Sequence, residues 1–87
     1  MQRKRVTNSD ILFHQQWYSS TFGFVDLSQA NDGYVRAVYE YWFYIRRPSM
    51  IQKINKKKQR EKNKRRKEVV QLYDSIVTRE YVKRNLI

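Results

Sequence analysis

Residues 46–67 read RRPSMIQKINKKKQREKNKRRK, and this stretch governs what fold the chain can have. Pro48 disfavours helical geometry at Arg47 and removes a backbone donor, so a break or sharp corner is expected at Arg46-Arg47-Pro48. Ser49-Met50-Ile51-Gln52 then has capping-box spacing, with the serine placed to take the amide three residues on and the glutamine to reach back. Nothing from Met50 to Asn85 breaks a helix, and the pattern predicts one helix of about 36 residues, roughly 54 Å long. The centre of that helix, Asn55 to Glu68, contains no apolar residue and offers nothing to a core. Val69, Leu72, Tyr73, Ile76, Val77 and Val82 restore an apolar stripe towards its end.

Working outward towards the amino terminus, Asn31 or Asp32 can cap a helix in which Val35, Val38, Tyr39, Trp42 and Ile45 recur at spacings of three and four. Tyr34, Tyr41 and Tyr44 fall around that apolar face, so the helix is expected to be covered on more than one side. Further upstream, Asn8-Ser9-Asp10 offers cap side chains for a short helix over about residues 10 to 18. Phe22 to Asp32 reads as a surface loop tacked down by Phe22, Phe24 and Leu27. The expected fold class is all-α, with short helices followed by a long, highly basic extended helix and little independent core. Its parts are an amino-terminal extension (1–33), an aromatic helix (34–47) and a long basic helix with an apolar carboxyl-terminal stripe (49–87).

Composition points the same way. The 87 residues hold 19 Lys and Arg against 8 Asp and Glu, a formal net charge of +11. Such self-repulsion is relieved by a polyanion. A chain this short buries only about 60% of its unfolded surface. With no Cys, neither disulfides nor thiolate zinc can compensate. The apolar run from Tyr34 to Ile45 is about half the length a transmembrane helix needs and is interrupted by Arg36 and Glu40, so no transmembrane segment is expected. The start, Met1-Gln2-Arg3-Lys4-Arg5-Val6, is basic but lacks the apolar segment of a secretory signal.

His14 is the single histidine, and the acids are scattered singly. No phosphate-cradling glycine loop, nucleophile elbow or paired-carboxylate pattern is present, so the expectation is a non-enzyme without cofactor, metal or small-molecule substrate. Binding residues are concentrated instead. From Lys53 to Lys67 there are ten cations, Lys53, Lys56, Lys57, Lys58, Arg60, Lys62, Lys64, Arg65, Arg66 and Lys67, opposed only by Glu61. On a helix they spread around nearly the whole circumference, a pattern suited to lying between phosphate backbones. Arg46 and Arg47 extend the set. An anionic membrane would want an apolar face opposite the basic one, and this centre has none. Tyr41 and Tyr44, off the Val35-Val38-Trp42 face, are the expected stacking partners for unpaired RNA bases.

Asp32-Gly33, Phe43-Tyr44, Arg47, Pro48, Ser49 and the Lys/Arg run together resemble the small-subunit ribosomal protein twenty-one family, over about 35 residues from Gly33 to Lys67. That family has a glycine opening a helix, an aromatic pair near its end, then a basic residue, proline, a small residue and a long basic helix. Ile45-Arg46-Arg47 puts one more residue between aromatic pair and proline than the family usually has. The resemblance implies that Arg46, Arg47 and the basic helix lie on small-subunit ribosomal RNA beside neighbouring ribosomal proteins. The extensions at both ends favour a mitochondrial ribosome over one in the bacterial cytoplasm. Two other classes stay open: a structural accessory subunit of an organellar respiratory or ATP synthase complex, and a DNA-binding basic-region dimer.

Overall fold

The structure is a computed structural model that describes residues 6–55 and 60–86. Helix α1 (Asn8–His14) opens on a capping box at Thr7, ahead of the Asn8-Ser9-Asp10 side chains expected to cap a helix from about residue 10. The Thr7 hydroxyl accepts the Asp10 amide at 3.3 Å, and the Asp10 carboxylate accepts the Thr7 amide at 3.0 Å. Gln15 then turns left-handed (φ 57°) and ends the helix. Trp17 and Tyr18, expected in the same helix, enter a strand instead.

That strand, β1 (Trp17–Ser19), pairs antiparallel with β2 (Gly23–Val25), Trp17 facing Val25. Gly23 takes φ +77°, a conformation that side chains disfavour. The Ser19 hydroxyl accepts the amides of Thr21 and Phe22, both at 3.2 Å. The all-α expectation is therefore corrected: the chain is mostly helical with a two-stranded sheet. Strands of three residues are too short to show an alternating pattern. Leu27 is buried as expected and Phe24 is half-buried, but Phe22 stays 70% exposed. A 3-10 turn (Leu27–Gln29) follows, fixed by the Asp26 carboxylate, which accepts the Ser28 hydroxyl and amide.

Helix α2 (Asp32–Tyr41) begins where Asn31 caps it, Asn31 Oδ1 accepting the Tyr34 amide at 2.8 Å. The corner expected at Pro48 does not form. A π turn (Trp42–Arg46) carries the chain directly into α3 (Arg47–Ile54), and Arg47 itself is helical (φ −59°, ψ −49°). Pro48 sits in the first turn of α3, directly after the π turn, where the helical hydrogen-bond ladder is already offset. The Arg47 amide reaches five residues back to the Trp42 carbonyl. A regular helix advances about 100° per residue, which would set Trp42 and Met50 about 80° apart. The wider turn takes up this offset, and both side chains are buried. It also rotates Ile45 out to 62% exposure and leaves Ser49 and Gln52 inside the helix rather than capping it.

The single long helix is likewise corrected. α3 ends at Ile54, and α4 (Arg60–Lys83) packs against it. Asn63 donates to the Ile54 carbonyl while Arg47 pairs with Asp74, so the two helices run in opposite directions. This closes an independent core, contrary to expectation. The stripe of α4, Val69, Val70, Tyr73 and Val77, forms one cluster with Val38 and Trp42, completed by Ile11, Trp17, Leu27 and Met50, and Val35 of α2 is also buried. Val82, counted in the stripe from sequence, is 53% exposed. Each such buried side chain contributes about 1.5–3 kcal/mol. The Tyr73 ring lies 4.8 Å from Trp17 and 5.0 Å from Trp42, between centroids.

At the far end of α4, Arg84 bonds the Leu27 carbonyl, Asp32 and the buried Glu80, joining the 3-10 turn, α2 and α4. Glu80 thereby has the partner that a buried carboxylate requires. No helix of the described residues is long and apolar enough to cross a membrane.

Candidate nucleic-acid interface

The core stripe of α4 does not stop at Val69. Asn63 and Arg66 continue it at helical spacing as half-buried polar residues, Asn63 donating to the Ile54 carbonyl at 3.1 Å and Arg66 donating to Asn63 Oδ1 at 3.0 Å. The Asn63 bond thus ties the start of α4 to the end of α3, and Arg66 braces Asn63 from within α4. This arrangement leaves Arg60, Lys62, Lys64, Arg65 and Lys67 exposed, and none forms an ion pair with a described residue. Lys53 is exposed at the end of α3. Lys56, Lys57 and Lys58 lie outside the described residues.

These cations are placed against the electrostatics of their own helix. Arg60 and Lys62 occupy the first turn of α4, where the helix dipole favours anions. Arg60 and Lys64, like Lys62 and Arg66, stand four apart as like charges, each pair unfavourable by a few tenths of a kcal/mol. Between the end of α3 and the start of α4 lies a notch of about 380 Å³, lined by Ile54, Asn63 and the cations Arg60, Lys64 and Lys67. Ile54 and Asn63 were not singled out from sequence, since only the antiparallel packing brings them to this place.

Other expected contacts separate from this end. Arg47 turns inward: its Nε donates to both carboxylate oxygens of Asp74, at 2.9 and 3.1 Å, an interaction that raises its pKa further. Arg46 and Tyr41 meet elsewhere, at a cleft of about 400 Å³ floored by Trp17, Val38, Met50 and Tyr73. Tyr41 is 47% exposed and stands edge-on to Trp17, with ring centroids 6.3 Å apart. Tyr44 is 74% exposed on the π turn. The cleft was invisible in the sequence because Trp17 and Tyr73 are 56 positions apart and meet only through the fold. His14 stacks on Phe24, with ring centroids 4.0 Å apart.

Comparison with models of protein families, with curated proteins and with solved structures gives no match.

Proposed function

We propose that this chain is a structural RNA-binding protein whose cationic end, from Lys53 to Lys67, lies along RNA phosphates. The supporting observation is the set of exposed cations at the start of α4 that form no ion pair among the described residues, with Arg60 and Lys62 in the first turn, where the helix dipole disfavours cations. Glu61 and Glu68, the acids beside them in α4, are outnumbered and form no ion pair with them among the described residues, while Asp74 is held by Arg47, and Glu80 and Asp32 by Arg84. Phosphates supply the missing counter-charge, and the flexible lysines suit them as point charges.

The setting we assign is the small subunit of a mitochondrial ribosome, on the resemblance of residues 33–67 to ribosomal protein twenty-one. There the partners would be ribosomal RNA and adjacent ribosomal proteins. The accessory-subunit reading predicts protein or lipid around the Tyr34 to Ile45 helix; α4 packs on α2, while Tyr41, Tyr44 and Ile45 stay exposed. A basic-region dimer needs the stripe from Val69 to Val77 for a second copy, but here it lies in the core.

Changing Arg60, Lys62, Lys64 and Arg65 together to Gln tests the reading. Affinity for unrelated RNAs should fall by similar factors, and the slope of log affinity against log salt should flatten by up to about 0.7 to 0.9 per lost phosphate contact. An unchanged slope would overturn the phosphate reading. Co-sedimentation with small ribosomal subunits, abolished by ribonuclease, tests the setting.

A further inference from the structure

The cleft beside Trp17 is unlike the cationic end in everything but one residue. Its volume of about 400 Å³ lies at the small end of the range for ligand sites, enough for one planar ring system with a sugar attached. Four aromatic residues, Trp17, Tyr18, Tyr41 and Tyr73, are among its lining, and of Trp17, Tyr41 and Tyr73 only Tyr41 is exposed. Arg46 is a cation at the lining of an otherwise uncharged cleft. Arg46 has no ion-pair partner among the described residues, whereas its neighbour Arg47 is held by Asp74.

A second feature concerns Tyr73. Its side chain is 96% buried, being 4% exposed, and its hydroxyl accepts the Tyr18 amide at 3.1 Å. The hydroxyl proton itself is donated to no described residue, although Tyr73 and Tyr18 both line the cleft. The hydroxyl is thus satisfied as an acceptor and keeps a proton that a ligand with an acceptor on a flat ring could take.

We propose that this cleft receives one unpaired nucleobase of a single-stranded RNA segment, stacked against Tyr41, with Arg46 on the adjoining phosphate and the Tyr73 hydroxyl donating to the base edge. The inference rests on the RNA-binding reading above and sharpens it. The cationic end holds phosphates irrespective of sequence or strandedness, while the cleft requires a base free of its duplex, because a base stacked and paired in a duplex offers no free face to Tyr41.

The test uses the full-length chain and three probes of equal length: a mixed-sequence single-stranded RNA octamer, its base-free analogue with the same phosphates, and an eight-pair RNA duplex. Binding is read by anisotropy and by tryptophan emission, Trp17 lining the cleft. The base-bearing single strand should bind about tenfold tighter than the base-free chain and quench emission, as stacking of a single base allows. Tyr41→Ala should erase that preference without changing the salt slope, and Tyr41→Phe should keep it. Because Tyr41 is half exposed, both variants should fold, as circular dichroism can verify.

Equal binding of base-bearing and base-free chains, or a preference that survives Tyr41→Ala, overturns the cleft while leaving the phosphate reading intact. Binding of no RNA at low salt overturns both. Quenching by a Glu-rich peptide but not by the octamer gives the cleft to a protein partner and equally overturns it.

Discussion

Trp42, fully buried, donates its indole N–H to Asp74 Oδ1 at 2.8 Å, and the same oxygen accepts Arg47 Nε at 2.9 Å. One carboxylate of α4 thus secures both the largest core side chain and the start of α3. Removing it strands a buried donor, whose desolvation is the greater loss. The Arg47 pair is more than a third exposed on the Arg47 side and adds about 1 kcal/mol at most. Asp74→Ala should therefore lower unfolding stability by about 2–3 kcal/mol in a denaturant titration. Asp74→Asn, which keeps an acceptor for the indole, should lose about 1 kcal/mol or less. Equal losses for the two variants would contradict this division.

Tyr73 gives the fold a signature at high pH. Burial pushes its hydroxyl up to about 12 from the ordinary 10, while the Tyr18 amide and the Arg46 charge pull the other way. Since the folded value lies above the unfolded one, the neutral form is favoured by folding. This contribution is complete below pH 10 and is lost as pH rises through the folded value near 12. Its size is on the order of 2–3 kcal/mol. Wild type should lose stability more steeply than Tyr73→Phe between pH 10 and 12, and absorbance at the tyrosinate band should show one ring titrating late.

The core around Trp42 makes the chain self-sufficient. A domain of this size has about 4–13 kcal/mol of stability in all. Truncating a buried Trp removes about 3–5 of them. The purified protein should melt cooperatively without RNA, and Trp42→Ala should abolish or nearly abolish that transition. A gradual, non-cooperative loss of ellipticity in the wild type would count against a closed core.

Pro48 is expected to matter little. The backbone already runs helically through Arg47, and the π turn is maintained by the burial of Trp42 and Met50 on one side. Pro48→Ala trades the rigidity that proline gives the unfolded chain for one possible hydrogen bond, and stability should move by about 1 kcal/mol or less. Helicity at 222 nm should stay within error. A large gain would show that proline, rather than packing, imposes the wide turn.

Local chemistry was legible in the chain itself. Asn31 caps α2 as its side chain predicts, Val35, Val38 and Trp42 form the buried face that their spacing marks, and the cations from Lys53 to Lys67 announce a segment no core could bury. Each of these depends on residues within a turn or two of one another. The errors came where distant partners decided. Periodicity alone favours continuing the helix from Met50 to Asn85, but the stripe ending at Val77 and the face around Trp42 bury more apolar surface when α4 folds back onto α2 and α3. That closure sets the π turn, ties Arg47 to Asp74 rather than leaving it beside the exposed cations, and assembles the Trp17 and Tyr73 cleft. The sequence by itself determined which residues seek water, apolar cover or an anion. Only the tertiary structure decided which of them meet, because burial energy depends on complementary surfaces that no local spacing encodes.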